Sequence, residues 1–294
     1  MTRRHALLID PVASDDDRGD FSDTFSTVDP AGPVLSVGEL SAQRGDGVFE
    51  SVGVVDGHPQ EVTAHLERLA HSAALCDLPA PHLGQWRAAV AEIASRCPAG
   101  ESVIKLVLSR GVDHRPGPTA WVTASPAPDF SRVRRDGVRV VTLDRGVDSG
   151  AFTRAPWLLL GAKTLSYAVN MAAIREAGRR GADDAVFVSS DGIVLEAPTA
   201  SVIVRFGDRF VTPEPATGIL HGTTQLSLFA YLAGRGFDVG YDTISVDRLR
   251  HADAGWLVSS VRLAAPIVAV DDHEIALDAA LTASMTDYLL SPRD

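Results

Sequence analysis

At 294 residues, with 45% hydrophobic and 22% charged side chains, the chain has ordinary globular composition and length for two domains or one large one. Its net charge of −11 argues against nucleic-acid binding and against adhesion to an anionic membrane, although local arginines can still grip a small anion. No apolar run approaches the ~20 residues of a membrane span, and Asp10 ends the apolar stretch of MTRRHALLIDPVASDDD too early for a signal peptide. Cys76 and Cys97 form neither a disulfide framework nor a metal-ligand spacing, so a soluble cytoplasmic protein without a metal is expected.

Residues 11–33, rich in Asp, Ser, Gly and Pro, read as a solvated lead-in. VFESVGVVDGHPQEV predicts a hairpin, with an alternating strand, an Asp-Gly turn at Asp56 and Gly57, and a return. TAHLERLAHSAALCDL has helical spacing, with Leu66, Leu69, Ala73 and Leu75 or Cys76 on one side, and a second helix is expected over 83–96. SVIKLVLSRG, TAWVTASPAP and VRVVTLD read as strands. Past Thr164 the pattern changes: LSYAVNMAAIREAGRRG predicts a helix stopped by Gly181. The strand DAVFVSS, a turn at Asp191 and Gly192, and IVLEAPTASVIVRF follow. RFVTPEPATGILHG reads as strand then loop, TTQLSLFAYLAGRG as a helix, and WLVSSV and IVAVDD as strands, with a helix closing the chain. The polar loop over 146–156 divides a smaller N-terminal α/β domain, 1–150, from a C-terminal domain, 151–294.

Several common catalytic motifs are missing: G-x-S-x-G, H-E-x-x-H, a Walker loop, a well-placed G-x-G-x-x-G, and any triad among nine dispersed histidines. Asp183 and Asp184 read as solvated turn residues opening a strand. A different signal comes from the basic residues. Of 27 lysines and arginines, only Lys105 and Lys163 are lysine. Arginine keeps its proton near neutral pH, so it cannot act as a nucleophilic amine or form a Schiff base. Taken alone, either lysine is equally well a surface side chain. Glu196, set among apolar and small residues in GIVLEAPTAS, would be costly to bury without a cationic partner; otherwise it simply caps a turn. Gly222, Thr223 and Thr224 stand at a helix start, where free N–H groups favour a phosphate, although a plain N-cap has the same look. Ser259 and Ser260 end an apolar strand, a common place for ligand contacts.

The order of these signals is more specific than any one of them. GDGVFE (45–50), HLERL (65–69), the SRG ending the strand over 102–111, AKTLSYAVNM, VLEAPTASV, GILHGTT and VSSVRLAAP together resemble the fold type IV pyridoxal-phosphate enzymes. These are the branched-chain and D-amino acid aminotransferases and 4-amino-4-deoxychorismate lyase. The resemblance runs from about Gly45 to Pro266 and implies an α+β, two-domain architecture whose C-terminal domain carries the lysine. It also implies pyridoxal 5′-phosphate as cofactor, a small amine or carboxylate substrate, and a homodimer whose partner subunit completes the active site.

Carried over position by position, the resemblance implies that Lys163 bears the cofactor and shuttles the proton, and that Glu196 pairs with the pyridine nitrogen. Arg68 would bind the phosphate with Thr223, Thr224, Ser259 and Ser260. Phe49, where several aminotransferases have tyrosine, would pack near the substrate without hydrogen-bonding it, and Ser51 would supply a nearby hydroxyl. Arg110 would grip a substrate carboxylate, although a surface ion pair is an equal reading; Arg262 and Arg44 are further anion candidates. Gln225 stands where relatives often carry arginine. Lys105 lacks the cofactor pattern and reads as a strand lysine in an ion pair. The resemblance favours the lyase, because GDGVFES is lyase-like and Phe49 suits a flat ring. An aminotransferase for D- or branched-chain amino acids is the alternative, and dual activity is compatible with the shared proton abstraction. A non-catalytic cofactor-binding protein and a cofactor-free Schiff-base enzyme explain fewer of the motifs.

Overall fold

The structure is a computed structural model that describes residues 4–294; the basic start of the N-terminal stretch, residues 1–3, lies outside them. The chain forms two compact units, each drawn from separate stretches of sequence. The first comprises Met1–Pro128, Ala162–Tyr167 and Pro292–Asp294, and the second Asp129–Gly161 and Ala168–Ser291.

The first unit contains β1 (His5–Ile9), β2 (Phe25–Val28), α1 (Leu40–Arg44), β3 (Gly47–Val55), β4 (His58–Pro59), α2 (Val62–Leu75), α3 (Leu83–Ala94), β5 (Glu101–Ser109) and β6 (Thr119–Pro126). Its antiparallel sheet runs β2-β1-β6-β5-β3-β4. The expected hairpin forms: Asp56 and Gly57 both take positive φ (49° and 80°), as a tight turn between twisted strands requires. Alternation in β3 and β5 sends Val48, Val52, Ile104 and Leu106 to one face, where Leu66 and Leu69 of α2 and Trp86, Val90 and Ile93 of α3 cover them. The segment over 11–33 is not wholly solvated. Phe25–Val28 pairs with β1, Phe21 is buried, and the apolar run over 6–9 is a strand.

The second unit begins with α4 (Ser131–Asp136) and β7 (Val138–Asp144), then α5 (Ala151–Arg154), α6 (Ala168–Arg179), β8 (Asp184–Val188), β9 (Ser201–Phe206) and β10 (Arg209–Pro213). It ends with α7 (Thr223–Gly234), β11 (Asp238–Asp242), α8 (Val246–Arg250), β12 (Ala254–Ser259), β13 (Leu263–Val270), β14 (His273–Glu274) and α9 (Ala279–Leu290). Its mixed sheet runs β11-β10-β9-β12-β13-β7-β8, with β14 on β13. VRVVTLD, which the sequence assigns to the first half, lies here as β7, parallel to both β13 and β8. Both faces of this sheet are covered, so the apolar SVIV of β9 needs no alternation: Val202 and Val204 join one cluster, and Ile203 joins the other with Leu228, Leu232, Met285 and Leu289. No helix among the described residues is long and apolar enough to cross a membrane.

Candidate active site

Lys163 belongs to the first unit, not to the C-terminal domain the sequence suggests. Strand-like docking on β3 is the reason. Phe49 N donates to Lys163 O at 3.0 Å, Leu165 N donates to Gly47 O at 2.8 Å, and Val48 bridges Thr164. Residues 163–165 are taken up in this strand-like pairing, and α6 starts at Ala168 and not at Leu165. Gly47 permits the approach: a Cβ there would lie 2.8 Å from Leu165 Cδ1 and 2.7 Å from Leu108 O. From α2, the buried hydroxyl of Ser72 accepts the Lys163 N–H at 3.1 Å. The Lys163 backbone is thus held by a strand and a helix, and its amine lies 4.4 Å from the Phe49 ring centre.

Lys105 shares that ring, with its Nζ 4.7 Å from the centre. Register explains this, because Phe49 pairs with Val107 and Ser51 with Lys105, placing all four side chains on one face of the sheet. The two amines, 4.4 and 4.7 Å from one point, are therefore about 9 Å apart at most. No carboxylate pairs with Lys105 among the described residues, so the expected ion pair is absent. Its side chain is exposed yet has protein around it, and this partial loss of hydration lowers its pKa. Tyr167 adds an edge contact to Phe49 at 5.3 Å.

Arg68 projects from α2 onto Glu50 of β3. Its Nε donates to Oε1 at 2.7 Å and its Nη2 to Oε2 at 2.9 Å, while His65 Nδ1 lies 2.7 Å from Oε2. Glu50 and His65 are wholly buried. Of the two readings open for Arg110, substrate grip or ion pair, the structure has the ion pair. Each of its three nitrogens donates within its own unit: Nε to Asp46 (2.7 Å), Nη1 to Asp77 O (3.1 Å) and Nη2 to Cys76 O (2.7 Å). It ties the strand end to α2's C-terminus and is a poor carboxylate receptor. Arg44 is exposed at the end of α1.

In the second unit, Glu196 is half-buried beside β8. Its backbone carbonyl accepts Phe187 N at 2.8 Å, and its Oε2 accepts Leu220 N at 3.2 Å, which fixes the carboxylate's direction. Thr223 and Thr224 open α7, and the Ser260 hydroxyl lies 3.5 and 3.2 Å from theirs. Ser259 ends β12 next to it. Gly222, at the N-cap, has no side chain with which to cap this helix start. A Cβ on Gly222 would lie 2.3 Å from Ser201 Oγ, so the cradle admits only glycine without rearrangement. Gln225 is buried in the first turn of α7. First-turn N–H groups and three converging hydroxyls suit a phosphate. Arg262, a further anion candidate, is instead committed to a buried ion pair, with Nη1 on Asp184 at 2.6 Å and Nη2 on Thr199 at 3.0 Å. Asp184 is correspondingly buried, at 2% exposure, and is no solvated turn residue.

The fold and these groups define a pyridoxal 5′-phosphate (PLP)-dependent enzyme of fold type IV. Residues 47–270 match the family described as amino-transferase class IV, and the chain belongs to that family. A bifunctional aminodeoxychorismate lyase / D-amino acid transaminase of Mycobacterium tuberculosis is 45% identical to it over 84% of this chain and 89% of its own. A fold IV transaminase, CpuTA1, from Curtobacterium pusillum superposes with a TM-score of 0.93 at 48% identity, covering 98% of each chain. An aminotransferase of Mycobacterium tuberculosis described as hypothetical, in its PLP-bound form, gives a TM-score of 0.88 at 40% identity over 98% of this chain and 99% of its own.

Proposed function

We propose that the chain is a 4-amino-4-deoxychorismate lyase, releasing pyruvate and 4-aminobenzoate for folate biosynthesis, and that the same site transaminates D-amino acids. The observation that carries this reading is the Phe49 ring, flanked by the chain's two amines. A flat apolar ring without a hydroxyl suits a planar substrate better than a small amino acid seeking a hydrogen bond. Likeness to the bifunctional Mycobacterium tuberculosis enzyme supports it.

Bound PLP supplies the electron sink that makes the substrate's amine-bearing carbon acidic. Lys163 Nζ is its attachment point and the base that removes that proton, a task suited to a pKa near ~7–8. In the lyase reaction, proton loss precedes breakage of the C–O bond to the enolpyruvyl group. That group leaves as pyruvate once its methylene carbon is protonated, and the ring becomes aromatic. Glu196, oriented by Leu220 N, keeps the pyridine nitrogen protonated. Arg68, Thr223, Thr224, Ser259 and Ser260 hold the phosphate. Lys105 takes over the substrate-carboxylate role first expected of Arg110, since its ammonium has no carboxylate partner. The exposed Phe152, Trp157, Leu158 and Met171 fit burial against a second copy in a homodimer. Unpaired Cys76 and Cys97 fit a reducing cytoplasm.

A pure aminotransferase is the second reading, favoured by the likeness to the Curtobacterium pusillum transaminase. Holoenzyme given enzymatically generated aminodeoxychorismate should release 4-aminobenzoate, and Lys105→Met should lower kcat/KM for it about 10–100-fold, the loss of a charged hydrogen bond. Transamination of D-amino acid and keto acid pairs with no 4-aminobenzoate would overturn the lyase and leave the second reading.

A further inference from the structure

The GDGVFE stretch ends in a carboxylate that the proposed chemistry does not use. Glu50 is completely buried on the core face of β3 between Val48 and Val52, so no ligand atom can reach it. Around it stand three donors: Arg68 side-on through Nε and Nη2, His65 through Nδ1, and the Ser51 amide at 3.3 Å. His65, Arg68 and Ser72 follow one another on α2 at spacings of three and four, so they share one face of the helix. That face meets the Glu50 carboxylate at one point and the Lys163 amide at another.

A buried ion pair is a poor device for stability, because the desolvation of both charges offsets their attraction. Its distinctive effect is geometric. Two parallel bonds to one carboxylate fix the plane of a guanidinium, which is otherwise a long side chain with many rotamers. The Nη1 side of the Arg68 fork is thereby turned away from Glu50 in one set direction. His65 holds the same Oε2 that Arg68 Nη2 engages, a second anchor that keeps the Glu50 carboxylate from following Arg68 if Arg68 swings.

We propose that Glu50, buttressed by His65, is a positioning residue that sets Arg68 as the phosphate donor, so that preference for phosphorylated over unphosphorylated pyridoxal depends on a carboxylate touching neither. This inference rests on the reading of Arg68 as a phosphate ligand.

Dissociation constants for PLP and for pyridoxal, measured on the full chain after cofactor removal, separate the two claims. Wild type should bind PLP far more tightly than pyridoxal. Glu50→Gln should weaken PLP binding about 10–100-fold, as outer-shell partners of metal ligands do, and leave pyridoxal binding within about twofold. In an Arg68→Gln background the same change should add nothing, because its effect passes through Arg68. If Glu50→Gln does not fold, Glu50→Asp keeps the charge but withdraws it by one methylene, and should show the same phosphate-selective loss. Equal weakening of both ligands, or a drop in melting temperature alone, would make Glu50 merely structural and overturn the inference. Should Arg68→Gln leave PLP affinity unchanged, the phosphate reading of Arg68 fails first and takes this inference with it.

Discussion

Glu50 keeps its charge where water does not reach, and the balance of forces on it has a consequence in acid. Burial alone would raise its pKa; the charge and hydrogen bonds of Arg68, followed by those of His65, override burial and hold it far below the ordinary value of 4.5. A folded pKa below the unfolded one means the stabilisation is present above pH 4.5 and is lost as pH falls towards the folded value. Stability of the wild type should therefore fall below pH 4.5, this group contributing up to about 1.4 kcal/mol per pH unit. Glu50→Gln should be weaker by about 3–5 kcal/mol at neutral pH, with a shallower acid slope, as read by urea unfolding at several pH values. Identical acid slopes would show that the pair does not titrate as described. At this scale the sequence was legible where chemistry narrows the choice of residue. Lys163 stood out because arginine cannot replace a deprotonating amine. It was not legible where partners decide the role: Arg110 read equally as an anion receptor and as an ion-paired arginine, and Arg262 as an anion candidate, and Asp46 and Asp184 engage them. Lys105, which reads in sequence as an ion-paired strand lysine, needs the β3–β5 register to reach Phe49.

Among the elements, α7 and its approach from Gly222 carry the phosphate-type cradle. The backbone at Gly222 is extended (φ −76°), so alanine would cause no backbone strain there; the 2.3 Å approach to Ser201 Oγ is the main obstacle, with Ser201 Cβ at 3.3 Å and Gln225 Cβ at 3.4 Å. Gly222→Ala should therefore lower stability by about 1–3 kcal/mol and weaken PLP binding. Ser201→Ala in the same chain should restore much of both, because it removes the clashing oxygen. Failure of that rescue, judged by melting temperature and PLP titration, would place the glycine requirement elsewhere. This close approach is invisible in sequence, where GILHGTT shows only a helix start. The helices α2, α3, α7 and α9 and most strands were legible, because periodicity and turn residues are local. The start of α6 was misread for a physical reason: Leu165 and its neighbours have helical spacing, but β3 offers hydrogen bonds that outcompete the first helical turn.

The molecule as a whole departs furthest from a linear reading. Its units are discontinuous, since the chain leaves the first at Asp129, returns for Ala162–Tyr167, and returns again at Pro292. Composition shifts suggested one boundary over 146–156. Long-range pairings placed β7 in the second sheet and Lys163 on the first, and no local pattern encodes such pairings. The seven ordered motifs nevertheless led to the family, because they mark the local structures that carry the proposed cofactor groups.

The central claim is that Lys163 holds PLP. Purified protein incubated with PLP should show a visible absorption band that borohydride converts to a permanent adduct, and peptide mapping should locate that adduct on Lys163. Lys163→Arg should show neither band nor adduct, while keeping its melting temperature within a few degrees. An adduct on Lys105, or an unchanged band in Lys163→Arg, would contradict the account.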